Sequence, residues 1–256
     1  MMIRIGQRAQ RGFSLLELAL ALAALGLMIW SGAGPFADAA SRRDRDAAQA
    51  HGRVMLEELR AFALAHARLP CPDTDGDGWE GDAGGACPPG VETGWLPYRT
   101  LGLDIPNPRL RAVYGVYRNP LAAAGNADLT LRLERSTPPD ASGDPGYQSV
   151  RDLIAALNFA AAEPPVATHV YLTGDDGAQG AVDCAGNVRS HPAVMLVMPV
   201  TDRDGNGNPF DGAHADLLLS GRCAQAPGTA ATATRDDVVA AESLAALAGW
   251  LAAHDH

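Results

Sequence analysis

Hydrophobic residues dominate the start of the chain after a short basic leader. The run from Phe13 to Trp30 contains no charged residue except Glu17. Its length matches the roughly 18 to 20 residues that an α-helix needs to cross a bilayer. A carboxylate inside such a segment costs free energy, so Glu17 is a candidate functional residue. The pattern predicts a transmembrane helix over residues 13–30.

A second apolar pattern follows, and it is typical of a helix with one buried face. Hydrophobic or small residues recur there at spacings of three and four, which places them on one side of a helix. They are Ala48, Gly52, Met55, Leu59 and Phe62. Residues 31–67 are therefore predicted to continue the long helix and to pack on a globular domain, with a weakening or kink where glycines and Pro35 follow the apolar run.

Shorter apolar runs in residues 68–256 predict a globular head. Strands following one long helix, rather than alternating with helices, favour an α+β fold in which the helix packs on an antiparallel β-sheet. The predicted strands are Ala112–Tyr117, Leu129–Leu133, Val166–Leu172, Ala193–Val200 and Asp216–Leu219, and the predicted short helices are Ser149–Ala162 and Ser243–Ala253.

The N-terminal residues resemble those of the type IV pilin and pseudopilin family. Such proteins carry a basic leader ending in Gly, an aromatic residue after the cleavage point, and Glu as the fifth residue beyond it. The matching residues are Arg4, Arg8, Arg11, Gly12, Phe13 and Glu17. The resemblance implies cleavage between Gly12 and Phe13 by a prepilin peptidase, which removes leader residues 1–12, and methylation of the new Phe13 amine. It also implies that Glu17 pairs with that amine in a neighbouring subunit during assembly.

This resemblance predicts a minor pilin or pseudopilin that enters a type IV pilus or a type II secretion filament. Its partners would be a prepilin peptidase, other pilins or pseudopilins and an inner-membrane assembly platform. The arginine excess before the helix orients the N-terminus to the cytoplasm. The expected location is the bacterial inner membrane, single-pass, with the head in the periplasm.

Three other interpretations of the N-terminal segment remain open. It could be a secretory signal peptide with a small-residue cleavage site near Ala33 or Ala39. It could be a plain membrane anchor, with Glu17 near the membrane surface. The chain could also be a membrane-anchored calcium-dependent binding protein or adhesin that shares only the leader with pilins. Substitution of Glu17 distinguishes a pilin from a simple anchored protein.

Composition limits the possible functions. The formal net charge is -10, and the 20 basic residues include no Lys. Binding to nucleic acid requires a basic face, so this charge argues against a nucleic-acid partner. The sequence contains no nucleophile elbow, Cys/His pair or metal-spaced histidines on a predicted helix, and we expect no enzymatic activity.

The cysteines indicate an oxidising compartment. Cys71, Cys87, Cys184 and Cys223 all lie beyond the apolar helix, and an even count in an exported domain predicts two disulfides. Four cysteines allow three pairings, of which we favour the local one, Cys71 with Cys87 and Cys184 with Cys223. Free thiols are the alternative.

Two acidic loops are candidate calcium sites. Oxygen side chains alternate in both loops, with Gly at the position where a calcium loop turns sharply. The candidate ligands are Asp73, Asp75 and Asp77 in the first loop and Asp202, Asp204 and Asn206 in the second. Neither loop has the bidentate Glu expected at position twelve, so Glu80, Asp82 or Asp211 would have to replace it. Solvated Asp/Gly turns are the alternative.

Overall fold

The described part of the chain forms two compact units. The computed structural model describes residues 15–135, 148–174, 184, 187–219 and 221–255. The boundary between the units lies between Asp44 and Arg45, within the first helix. The candidate metal loops and both disulfides belong to the second unit.

The described elements comprise three α-helices and nine short strands. The helices are α1 (Leu15–His66), α2 (Val150–Ala162) and α3 (Leu244–His254). The strands are β1 (Thr93–Trp95), β2 (Val113–Val116), β3 (Arg118–Asn119), β4 (Ala127–Asp128), β5 (Tyr171–Thr173), β6 (Val188–Ser190), β7 (Pro192–Met198), β8 (Cys223–Gln225) and β9 (Val238–Ser243).

The main sheet is antiparallel and has the strand order β1-β2-β7-β9. Its register pairs Tyr114 with Leu196 between β2 and β7, and Leu196 with Ala240 between β7 and β9. Every residue of β2 and β7 is buried, so both faces of the central strands are covered. This explains why these two strands are nearly continuous apolar runs in the sequence.

The second half of α1 packs directly on the head. Met55 and Leu59 are no more than 1% exposed, and Phe62 is also buried, so the predicted apolar stripe is confirmed. Gly52 allows the close approach, because a Cβ built there would lie 2.7 Å from Met198 Cε and 3.1 Å from Ala240 Cβ.

Helices α2 and α3 pack against each other, and each begins at a serine. The Ser149 N–H donates to Asp152 Oδ2 at 2.8 Å before α2. Ser243 Oγ accepts from the Ala246 N–H at 3.1 Å at the start of α3. These caps satisfy backbone groups that the first helical turn leaves without partners. Both predicted short helices are therefore confirmed.

The predicted architecture needs two corrections. The head is not one antiparallel sheet, because β3 and β4 form a separate pair and a third sheet has the order β6-β5-β8. In that third sheet β5 runs parallel to β8, with Leu172 opposite Ala224. Pairing of strands that are far apart in sequence depends on tertiary packing, which the local patterns do not contain.

The second correction concerns the predicted membrane span. Within the ranges described, we find no helix that combines the length and the apolar character required to cross a bilayer. The transmembrane helix over 13–30 and the single-pass inner-membrane location are therefore wrong.

The strand predictions were uneven. Ala112–Tyr117 and Ala193–Val200 correspond to β2 and β7, and Val166–Leu172 overlaps only the start of β5. Leu129–Leu133 and Asp216–Leu219 are turns or irregular segments rather than strands. Their leucines that are buried, Leu129 and Leu217, fill the core without extending a sheet.

Both disulfides have the predicted local pairing. Cys71 is bonded to Cys87 and Cys184 to Cys223, with Cα separations of 5.8 and 5.9 Å. Both separations lie in the normal range for disulfides. The first disulfide encloses the first acidic loop, and the second attaches Cys184 to β8. Two disulfides fit a protein of an oxidising compartment.

Candidate metal centres

The first acidic loop is organised around the buried carboxylate of Asp73. This side chain is 1% exposed, although Asp75 and Asp77 are exposed. Asp73 Oδ1 accepts from the Asp75 and Gly76 N–H groups at 3.2 and 2.6 Å, and Oδ2 accepts from the Gly78 N–H at 2.8 Å. Burial raises the pKa of Asp73, while these backbone donors oppose the increase.

The other two carboxylates of this loop hold the next turns. Asp75 Oδ1 accepts from the Asp77 N–H at 3.1 Å, and Asp77 Oδ1 accepts from the Trp79 N–H at 2.7 Å. Gly76 has a φ of 82°, a conformation that favours glycine. One oxygen from each of the three aspartates lies within 4.8 Å of the others, so the loop could hold a metal ion.

The proposed replacement ligands of the first loop lie in other interactions. Glu80 pairs with the Arg68 guanidinium at 2.7 and 2.6 Å and accepts from the Cys71 N–H at 3.0 Å. Burial acts to raise the pKa of Glu80, but the hydrogen bonds from Arg68 and the Cys71 N–H, together with the positive charge of Arg68, more than offset it and the pKa is lowered. Asp82 Oδ1 accepts from the Gly84 N–H at 2.9 Å. Neither carboxylate belongs to the cluster of three aspartates.

The second acidic loop repeats this arrangement at the surface. Asp202 Oδ1 accepts from the Gly205 N–H at 2.8 Å and Oδ2 from the Gly207 N–H at 2.9 Å. Asp204 Oδ1 accepts from the Asn206 N–H at 3.1 Å. Asn206 Oδ1 accepts from the Asn208 N–H at 2.6 Å, while its amide nitrogen donates to Asp204 Oδ2 at 2.9 Å.

Asp211 brings a third carboxylate to this second loop. Oxygens of Asp202, Asp204 and Asp211 lie within 4.8 Å of one another. Asp211 is fully buried and its Oδ1 accepts from the Arg203 N–H at 2.9 Å. The Gly212 N–H donates to Asp204 Oδ2 at 3.1 Å, and this hydrogen bond is the main cause of the lowered pKa of Asp204.

A third group of carboxylates was not recognised from the sequence as a possible metal site. Asp236 and Asp237 lie beside Asp211, and all three are 0% exposed. Burial raises the pKa of Asp237, opposed by its hydrogen bond to His214. The signal in the sequence is an acidic pair immediately before the buried residues Val238 and Val239. Both carboxylates of this pair are buried where the chain leads into β9.

A separate polar group contains Glu92, His169 and His191. His169 Nδ1 lies 2.6 Å from Glu92 Oε1, and the Val170 N–H donates to Glu92 Oε2 at 2.6 Å. His191 Nε2 accepts from the Val166 N–H at 3.0 Å, and its Nδ1 lies 2.8 Å from the Val170 carbonyl oxygen. These bonds attach the segment before β5 to the main sheet, which is a structural role.

The predicted processing and assembly residues lie at the start of the chain. Gly12 and Phe13 fall outside the described residues. Glu17 lies exposed in the first turn of α1, where a negative charge interacts favourably with the helix dipole.

Comparison of the chain with protein-family models, with curated proteins and with solved structures gives no match.

Proposed function

We propose that this chain is a pilin-like filament subunit without enzymatic activity, a minor pilin or pseudopilin that assembles through the start of α1. The proposal rests mainly on an exposed apolar helix end. Residues 15–26 contain Glu17 as their single charged residue, and Leu15 and Leu16 are 87% and 71% exposed. The remaining leucines of this segment, Leu18, Leu20, Leu22 and Leu25, are also more than half exposed.

An exposed apolar helix of this kind favours association with other helices. Burying one leucine side chain contributes roughly 1.5 to 3 kcal/mol, so several leucines provide a large driving force. A carboxylate buried in such an interface needs a cationic partner. The free amine of a processed Phe13 in a neighbouring subunit supplies that charge, which gives Glu17 a specific role in assembly.

The proposed partners follow from this assembly. A prepilin peptidase would cut between Gly12 and Phe13, and other pilins or pseudopilins would pack on the exposed leucines under the control of an assembly platform. The two disulfides fit assembly in an oxidising compartment. The type IV pilus and the type II secretion filament are both compatible with these features.

We further propose that the two acidic loops bind calcium. Both loops offer carboxylate oxygens on irregular, Asp/Gly-rich backbone, which suits the larger and less geometrically demanding calcium better than magnesium. Calcium binding would also suit the alternative function, a calcium-dependent binding protein or adhesin. That protein would use its loops but would not need Glu17 for assembly.

Incorporation of variants into filaments tests the proposal. Glu17→Ala should strongly reduce the amount of this chain in sheared filaments or cross-linked pseudopili, relative to its amount in whole cells. Glu57→Ala is the matched control, because Glu57 is an exposed carboxylate of the same helix within the second unit. Equal incorporation of both variants would contradict the pilin-like function and favour the binding protein.

Mass spectrometry of the mature chain tests the processing step. The first residue should be N-methyl-Phe13. A mature N-terminus near Gly34 or Ala40 would show signal-peptide cleavage instead.

A further inference from the structure

Three buried carboxylates meet where β9 begins. Asp211 precedes a 3-10 helix at Gly212–His214, whereas Asp236 and Asp237 lead into β9. One oxygen from each lies within 4.8 Å of the others, and none of the three residues is exposed. We call these three residues the buried acidic cluster. Burying like charges at this separation is costly unless they are compensated.

Backbone hydrogen bonds fix the positions of these carboxylates. The Asp211 N–H donates to Asp237 Oδ2 at 2.9 Å, and Asp211 Oδ2 accepts from the Asp236 N–H at 3.0 Å. Asp236 also accepts from Thr201 Oγ1 and, at 2.6 Å, from Arg203 Nε. Arg203 therefore offsets the charge of Asp236.

His214 does not offset the charge of Asp237. Its Nε2 accepts a hydrogen bond from the Gln225 N–H at 3.2 Å, so that nitrogen carries no proton. The proton of the neutral ring is therefore on Nδ1, which donates to Asp237 Oδ2 at 2.9 Å. Arg203 brings one positive charge to the three carboxylates. A divalent cation would add two more.

Two buried oxygens in this region have no donor among the described residues. Asp237 Oδ1 is one, and Gln225 Oε1 is the other. The two residues are in contact, because Gln225 Nε2 donates to the Asp237 carbonyl oxygen at 2.8 Å. Leaving a buried acceptor unsatisfied costs roughly 1 to 3 kcal/mol, and more for a charged group. Asp237 thus has a free, buried carboxylate oxygen beside two other carboxylates.

We propose that the buried acidic cluster binds one divalent cation, with Asp237 Oδ1 as a ligand. Calcium is the ion that fits, because it accepts oxygen ligands in irregular arrangements. This site is separate from the proposed calcium sites of the two acidic loops, although Asp211 also belongs to the cluster with Asp202 and Asp204. It would join the turn at Asp211 to the start of β9, and it does not depend on the pilin-like function.

Calcium titration of the purified full chain, first stripped with chelator, tests the site. Asp237→Asn keeps one side-chain oxygen, which can still accept the hydrogen bonds from His214 and from the Asp211 N–H. It removes the negative charge and replaces the second oxygen, the proposed calcium ligand, with an amide nitrogen. We expect this variant to bind about one calcium fewer per chain than the unmodified protein in calorimetry. Asp204→Ala is the matched variant for the surface loop, and it should leave the buried site able to bind calcium.

Thermal unfolding separates loss of the site from loss of the fold. In chelator, Asp237→Asn should melt at a higher temperature than the unmodified chain, because one buried negative charge is gone. Calcium should then raise its melting temperature less than it raises that of the unmodified chain. The proposal is overturned if the unmodified chain binds no calcium. In that case a water molecule, rather than a cation, would satisfy Asp237 Oδ1. It is also overturned if Asp237→Asn keeps the full calcium stoichiometry.

Discussion

Asp73 and Asp202 accept hydrogen bonds from equivalent backbone positions, the N–H groups three and five residues further along the chain. The distances are 2.6 and 2.8 Å for Asp73 and 2.8 and 2.9 Å for Asp202. The two loops therefore share one local turn structure. The aspartates differ in environment, since Asp73 is buried and Asp202 is exposed.

This difference predicts unequal effects of removing the two carboxylates. In chelator, Asp73→Ala should lower the free energy of unfolding by about 3 kcal/mol, because the buried Gly78 N–H loses its acceptor. Asp202→Ala should cost less than about 1 kcal/mol, because water can replace an exposed acceptor. Urea unfolding of both variants measures the effects. Equal losses would show that Asp73 has no special role in holding its loop.

A second prediction concerns the glycine between α1 and the main sheet. Gly52→Ala should destabilise the protein by about 1 kcal/mol, because the new Cβ would overlap Met198 and Ala240 despite the better helix propensity of alanine. The matched control is Gly249→Ala in α3, where the new Cβ would meet no atom within 4 Å. That variant should be stabilised by up to about 1 kcal/mol. A Gly52→Ala protein that is as stable as the unmodified protein would contradict the close packing of α1 on the sheet.

A third prediction concerns the disulfides. Removing the Cys71–Cys87 bond by a double Ser substitution should cost roughly 3 kcal/mol of unfolding free energy, and removing Cys184–Cys223 roughly 4 kcal/mol. The larger effect follows from the larger loop, since the sequence separations are 16 and 39 residues. Denaturant unfolding provides the comparison. A smaller loss for the second pair would mean that loop closure does not determine the effect.

A fourth prediction concerns pH. Burial lowers the pKa of His191 below the ordinary 6.5, and the neighbouring His169 acts in the same direction against the Val170 hydrogen bond. The unfolded chain then takes up this proton at a higher pH than the folded chain. The contribution of His191 to stability is therefore complete above about pH 6.5 and is lost as the pH falls through the lower folded pKa.

Unfolding in urea at pH 7.5 and 5.5 checks the effect of His191, and protonation of its Nε2 would also break the bond from the Val166 N–H. His191→Gln should show a smaller loss of stability on acidification. His51→Gln is the control, because His51 is exposed on α1. The same pH dependence in all three proteins would exclude His191 as the responsible group.

The sequence by itself determined the elements whose side-chain pattern is local. The stripe through Met55 and Leu59 identified the packed face of α1, and apolar runs identified β2 and β7. Helix α2 was predicted because its helical pattern is local, and the cap that the structure shows at Ser149 also acts within a few residues. The Asp/Gly repeats likewise determine the turn structure of both acidic loops, since the hydrogen bonds within each repeat span at most five residues.

Only the tertiary structure decided which distant segments meet. The local patterns missed β9, whose residues continue into the apolar start of α3, and they missed the parallel pairing of β5 with β8. The disulfide pairing was favoured by proximity in sequence but was one of three until the fold was known. Asp211 and Asp237 are 26 residues apart along the chain. Their carboxylates meet because β9 enters the main sheet and buries them, which no local pattern of charge records.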